Sequence, residues 1–150
     1  MDILSQACIA ARIRELTSIA RAQDEGAFGD QLHIRFLGCN TQHNAYEFSA
    51  RTEGWMRNIE GVVHGGFCAT LADHIMGTVA YCIKTGDRIS PTIQLQIAYH
   101  RPVLPEEELI VRVRVISATS RLIHLSAEAA AMGKPERVCF SSTATYFCKD

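Results

Sequence analysis

The stretch HGGFCATLADHIMGTVAYCI, residues 64–83, decides how the rest of the chain is read. From Phe67 to Ile83 the apolar residues fall on every side of a helical projection, so this helix has to be covered on most of its faces. It is interrupted by Asp73 and His74 and is too short for a membrane span. Two glycines, Gly65 and Gly66, stand at its entrance, and Gly86 reads as its stop signal.

Around this helix the chain reads mostly as strands. Downstream, Ile93, Leu95, Ile97 and Tyr99 alternate with Thr92, Gln94, Gln96 and Ala98, the two-residue period of a sheet. Pro102 and Pro105 break the pattern before Leu109, Val111, Val113 and Val115. Ser117 to Ser120 turns the chain into Ile123, Leu125, Ala127 and Ala129. Gly133-Lys134-Pro135 turns it again into Val138, Phe140, Ser142, Ala144 and Tyr146. Connections this short make the last three strands an antiparallel meander. Upstream, Leu32, Ile34 and Phe36 alternate with His33 and Arg35, Asn40 to His43 reads as a turn, and Tyr46, Phe48 and Ala50 form the second strand of a hairpin. Before them, Ile3, Ala7, Ala10, Ala11, Leu16 and Ile19 have the spacing of an amphipathic helix, ended by the polar break Asp24-Glu25-Gly26.

The order helix, two strands, buried helix, four strands predicts an α+β fold in which a six-stranded antiparallel sheet wraps around a long central helix, with an additional N-terminal helix. There is no internal repeat and no linker, so residues 1–150 read as a single domain, with the N-terminal helix in 1–25 and the core in 30–148. A composition of 47% hydrophobic and 21% charged residues supplies a core and excludes a disordered chain. Fifteen Lys and Arg against sixteen Asp and Glu leave no basic field for nucleic acid. The six cysteines contain no CxxC pair and no zinc-ligand spacing, and none of His33, His43, His74, His100 and His124 has a metal-ligand partner in spacing, so no metal is expected. The start Met1-Asp2-Ile3-Leu4 lacks a signal-peptide pattern, which leads us to expect reduced thiols in a cytoplasmic protein with no membrane association.

The chemistry concentrates between Asn58 and Asp73. Glycines entering a helix leave its first amides free and let a ligand approach the backbone closely, and the positive end of the helix dipole favours an anion or a developing oxyanion. Asp73 is a carboxylate among Leu71, Ala72, Ile75 and Met76, costly there unless it has partners; the alternative to a function is a satisfied structural carboxylate. Nine residues of helix separate His64 from Asp73, about 13.5 Å and about 2.5 turns, which places them on opposite sides of the helix. A two-fold dimer would bring the helix start of one subunit towards Asp73 of the other, and pairing edge strands across subunits would hide the open sheet edges. Cys68 and Cys82 fall inside the apolar helix and read as small core groups rather than nucleophiles.

The run Asn58-x2-Gly61-x2-His64-Gly65-Gly66-x6-Asp73, followed by Tyr99-x2-Pro102, resembles the PaaI-type branch of the hotdog-fold acyl-CoA thioesterases over roughly residues 30 to 148. The resemblance implies the hotdog fold, a homodimer with shared active sites, frequently paired into tetramers, and hydrolysis of an acyl-CoA without a required metal or cofactor. Residue by residue, it implies that Asp73 is the general base on water or the nucleophile on the thioester carbonyl. It implies that the Gly65 amide polarises that carbonyl, and that His64 and Asn58 flank it. Thr92 falls where several relatives have a Ser or Thr near the carboxylate, although strand parity places it on the face opposite Ile93 and Leu95. Gly66 and, for coenzyme A phosphates, Arg112, Arg114, Arg121, Lys134 and Arg137 are the candidates for substrate contact. Trp55, Met56 and Tyr81 read either as an acyl pocket or as core. Two other functions compete: a hotdog dehydratase or hydratase on a 3-hydroxyacyl thioester, pairing His64 with Asp73 across the dimer, and a non-catalytic acyl-CoA-binding protein.

Overall fold

The computed structural model describes residues 5–23, 26–83 and 90–148. In chain order it contains helix α1 (Gln6–Gln23), the short helix α2 (Phe28–Gln31), strands β1 (Arg35–Asn40) and β2 (Ala45–Arg51), a 3₁₀ turn (Gly54–Met56), helix α3 (Gly65–Cys82), and strands β3 (Thr92–Tyr99), β4 (Glu108–Ala118), β5 (Leu122–Ala131) and β6 (Val138–Phe147). The six strands form one antiparallel sheet in the order β1-β2-β4-β5-β6-β3. The sheet wraps α3, as the all-round apolar character of residues 67–83 demands. Leu71, Ala72, Ile75, Met76 and Val79 are buried against an inner face that includes Phe48, Val111, Val113, Leu125, Phe140 and Tyr146. This is the hotdog fold. Gly86, the expected helix stop, lies outside the described residues.

α1 closes the remaining side of α3 and covers β1. Ile9 and Ile13 are buried, and the Arg14 guanidinium stands 5.5 Å over the Phe36 ring. At the other end of the sheet β3 pairs only with β6 among the described residues, and Ile93 and Tyr99 are each more than half exposed along that free edge. No helix among the described residues is long and apolar enough to cross a membrane.

Two local expectations need correction. The strand expected from Leu32 to Phe36 begins only at Arg35 and runs on to Asn40. Leu32 is buried instead as the C-cap of α2, and His33, at φ 50°, turns the chain between helix and strand. The parity of β3 is also interrupted. Thr92 pairs with Tyr146 but Gln94 pairs with Thr145, so Ile93 is an extra, bulged residue. The bulge puts Thr92 on the same face as Leu95, Ile97 and Tyr99, which sit opposite Ala144, Ser142 and Phe140 of β6. It faces α3, not away from it.

Candidate active site

Asp73 lies on α3 about 2.5 turns before its end at Cys82, half-buried under the free β3 edge. Two hydroxyls from the two strands beside it converge on one carboxylate oxygen. Thr92 Oγ1 donates to Asp73 Oδ1 at 2.7 Å, and Tyr146 Oη lies 3.0 Å from the same atom and 3.0 Å from the Asp73 carbonyl oxygen. Among the described residues Oδ2 has no donor, so the carboxylate is held by one oxygen and presents the other. Burial first, and then the neighbouring Asp73 charge, push the Tyr146 phenol upward, so it remains a protonated donor through neutral and mildly alkaline pH. The bulge at Ile93 makes this meeting of Thr92, Tyr146 and Asp73 sterically natural, because without it Thr92 would project to the other face.

The second group of residues sits at the start of α3. His64 is the N-cap, and its Nδ1 accepts the Gly66 N–H at 3.3 Å. Of the two glycine amides expected to be free, Gly66 is therefore engaged locally, while Gly65 N–H has no acceptor among the described residues. Capping by the imidazole ring nitrogen is the physical reason for the difference. Tyr99 Oη donates to the Gly65 carbonyl oxygen at 2.7 Å, and a Cβ at Gly65 would stand 3.0 Å from that hydroxyl. Only glycine fits beneath Tyr99 without displacing it.

Asn58 shapes the approach loop. Its Oδ1 accepts the N–H groups of Glu60 at 2.9 Å and Val62 at 3.3 Å, and its own N–H donates to the Val62 carbonyl at 2.7 Å. Such an Asx turn fixes the backbone that delivers Val63 and His64 to α3. Val63 N–H then donates to Val103 O at 2.9 Å, and His64 N–H to Met56 O at 2.8 Å. Beside the entrance, exposed Trp55 meets Phe67 edge-on at 5.0 Å between centroids. Met56 is fully buried and Tyr81 packs partly against the core, so of these three only Trp55 offers apolar surface near the helix start.

The basic candidates divide into two groups. On the sheet face away from α3, Arg112 Nε donates to Glu47 Oε1 at 2.9 Å and Nη1 to Pro135 O at 3.1 Å. Arg114 Nη1 reaches Glu128 Oε2 at 3.1 Å and its Nε donates to His43 O. These two guanidiniums are committed within the chain, alternating with the core residues Val111, Val113 and Val115. Lys134 and Arg137 are exposed in the turn between β5 and β6, and Arg121 precedes β5 on the surface. None of these three has a carboxylate partner among the described residues.

Sequence reasoning reached Asn58, His64, Gly65, Asp73 and Thr92, and the structure brings Thr92 to Asp73 and groups Asn58, His64 and Gly65 at the helix start. It missed the hydroxyls of Tyr146 and Tyr99. Tyr99 stands in the quoted motif with no role of its own, and the period of the last strand marks Tyr146 only as one more inward residue. The signal for Tyr146 was the cost of burying a phenol without a partner; which partner it finds depends on the pairing of β3 with β6. All six cysteines are free thiols, and burial pushes Cys68 and Cys82 up to about 11.

No curated protein sequence matches the chain. The family model described as "Thioesterase superfamily" matches residues 60–132, which include the start of α3, Asp73, β3 and β4. Among solved structures, the chain is similar to the Escherichia coli PaaI protein from the phenylacetic acid degradation operon, with a TM-score of 0.77 at 12% identity over 95% of this chain and 96% of that one. It is similar to thioesterase superfamily member 2 from Mus musculus, with a TM-score of 0.72 at 16% identity over 93% and 96% of the two chains. A Streptococcus mutans protein solved bound to acetyl CoA matches with a TM-score of 0.67 at 18% identity over 77% of this chain and 88% of that one. The chain thus has the hotdog fold that these structures share, and its residues 60–132 carry the sequence pattern of the thioesterase superfamily.

Proposed function

We propose that the protein hydrolyses an acyl-CoA thioester to the free acid and coenzyme A. The observation that carries this reading is the Asp73 carboxylate, held at Oδ1 by the hydroxyls of Thr92 and Tyr146 with Oδ2 uncommitted among the described residues. A base held in one orientation is what activation of a water requires. The uncommitted Gly65 N–H, at the positive end of α3, supplies the second requirement, a donor aimed at a carbonyl oxygen as it becomes an oxyanion. Water adds to the thioester carbon while Asp73 takes its proton. The tetrahedral oxygen is stabilised at Gly65, then the carbon–sulfur bond breaks and the coenzyme A thiolate leaves, to be reprotonated. A thioester has weak resonance and a good leaving group, so these groups suffice and the reaction needs neither metal nor cofactor. His64 and Asn58 flank the carbonyl by shaping the helix entrance, with Gly66 beside them.

The two halves of this site belong to different subunits in our reading. Asp73 and Gly65 lie eight residues apart on one helix, about 12 Å along its axis, too far to act on one bond. The free edge of β3, bare and flanking Asp73, is the surface through which a second copy would complete both the sheet and the site. We therefore propose a homodimer with shared sites as the working unit, able to pair into a tetramer, acting in the cytoplasm.

The test is thiol release from acetyl-, hexanoyl-, palmitoyl-, phenylacetyl- and 4-hydroxybenzoyl-CoA, with Asp73→Asn alongside. We expect turnover of at least one, reduced by roughly 10²–10⁴-fold in the variant while its circular dichroism and size are unchanged. Wild-type rates in Asp73→Asn would remove the carboxylate from the reaction. An enoyl chromophore in place of thiol would replace hydrolysis by dehydration.

A further inference from the structure

Gly65 and Gly66 are joined by one peptide unit, and a side chain holds each of its polar ends. Tyr99 Oη donates to the Gly65 carbonyl oxygen at 2.7 Å, and the Gly66 N–H donates to His64 Nδ1 at 3.3 Å. The peptide unit before it is held at its carbonyl, because His64 O accepts the Phe67 N–H at 2.9 Å. The other end of that unit is the Gly65 N–H, which has no acceptor among the described residues. Both peptide planes that meet at the Gly65 Cα are therefore fixed, and with them the direction of this amide.

Two consecutive glycines have no Cβ to restrict their dihedrals, so the plane between them turns more freely than any other. Sterics cannot supply the restriction here. A Cβ at Gly65 would stand 3.0 Å from Tyr99 Oη and 3.1 Å from Cζ, so the ring that makes the bond also demands the glycine. Tyr99 is itself set on a rigid platform at the end of β3. The His100 and Arg101 N–H groups both donate to Cys139 O, at 2.8 and 3.0 Å, and His100 Nε2 lies 2.8 Å from Ser141 Oγ. Burial first, and then Cys68 beside it, push the Tyr99 phenol upward, so it stays a donor at neutral pH. The bond is poorly placed to serve stability, since Tyr99 is 53% exposed and water replaces a partner lost at such a site.

We infer that Tyr99 is a positioning residue, whose hydroxyl holds the Gly65–Gly66 peptide against rotation and so keeps the Gly65 N–H aimed at the carbonyl oxygen of a bound substrate. A donor to a developing oxyanion is effective only when it is aimed before the charge appears, and a hydrogen bond weakens steeply as its angle falls. Tyr99 touches no reacting atom and acts through the backbone of its neighbour. The inference rests on the thioesterase reading only in taking that carbonyl to be a thioester's.

The test is Tyr99→Phe in the full chain, which removes the hydroxyl and keeps the ring. In thiol release from the acyl-CoA panel, kcat is expected to fall roughly tenfold with KM nearly unchanged, a smaller loss than the roughly 10²–10³-fold that follows outright removal of an oxyanion donor. The second readout follows the carbonyl itself. Ketone analogues of the same thioesters, with a methylene in place of sulfur and an isotope-labelled carbonyl carbon, cannot be hydrolysed and are read by difference infrared spectroscopy. On the wild type the bound carbonyl stretch is expected to move to lower frequency, and on Tyr99→Phe that shift shrinks. Affinity for S-ethyl coenzyme A, which has no carbonyl, is expected to stay the same. Wild-type thiol release with kcat and carbonyl stretch both unmoved by Tyr99→Phe overturns the inference and leaves the thioesterase reading standing. An equal loss of affinity for S-ethyl coenzyme A also overturns it, by reducing Tyr99 to general support of the fold. A carbonyl stretch that depends on Tyr99 in a chain that releases no thiol keeps the inference and overturns the thioesterase reading.

Discussion

At the scale of single residues, the site turns on the inequality of the two Asp73 oxygens. Both strand hydroxyls fall on Oδ1, so each fixes the same rotamer and neither competes for Oδ2. Tyr146→Phe removes one of these donors with almost no change in volume. A hydrogen bond to a charged group contributes about 1.5–3 kcal/mol, so the urea midpoint is expected to fall, and with the carboxylate less firmly held kcat is expected to drop by roughly tenfold or more. Unchanged kinetics would reduce Tyr146 to a packing residue. The buried thiols make the opposite point, that a polar atom near the site need not take part in it. Burial raises Cys68 and Cys82 from 9.0 to about 11, so both stay protonated, and unreactive, at neutral pH. Between those values the unfolded chain has lost protons that the folded chain keeps. Their contribution to stability is therefore intact below about pH 9 and lost as pH rises through about 11. Iodoacetamide at pH 8 is expected to modify exposed Cys8 in the folded protein and to leave Cys68 and Cys82 untouched until urea unfolds it. Peptide mass spectrometry reads this directly, and labelled Cys68 in the folded chain would contradict it.

At the scale of elements, the outer face of the sheet is held by its own charges. Arg112 and Glu47 are both mostly buried, on directly paired positions of β4 and β2, and Asn40 Nδ2 adds a third member at 3.0 Å from Glu47 Oε1. Arg112→Ala leaves Glu47 half-satisfied and is expected to lower stability by about 2 kcal/mol, measured by urea unfolding. KM for an acyl-CoA should be unmoved; a rise there would return Arg112 to the substrate-contact role that its charge alone suggested. This arginine illustrates where sequence reading runs out. Periodicity located α3 and all six strands, because burial imposes a period of two on each strand and the all-round apolar run can only be a covered helix. It misjudged β1 and the facing of Thr92, because a left-handed His33 and a one-residue bulge at Ile93 break the period by local backbone geometry that no side-chain pattern announces. Charge pairing was equally hidden, since Arg112 and Glu47 are 65 residues apart and meet only once the register of β2 on β4 is set.

At the scale of the whole molecule, what was legible of the site was the part carried by one continuous segment, Asn58 to Asp73, where spacing along a loop and a helix is itself geometry. The role of Tyr146 was illegible because its meeting with Asp73 is assembled by elements distant in sequence. The same helix that made the segment readable also keeps its two ends apart, which is the separation that the proposed shared-site dimer would bridge. Gly65→Val blocks the carbonyl donor, since even a Cβ there meets the Tyr99 hydroxyl at 3.0 Å, while Asp73→Asn removes the base. Each variant alone should be inactive. If each site draws Gly65 from one subunit and Asp73 from the other, a heterodimer of the two variants has one site with both lesions and one with neither. Co-expressed in equal amounts and assembled at random, half of the dimers are mixed and half of their sites are intact, so about a quarter of wild-type turnover should return. If instead each chain builds its own site, every site carries one lesion and the mixture stays silent. The thiol-release rate of the mixed preparation, set against those of the two separate variants, decides between the arrangements without a structure of the dimer.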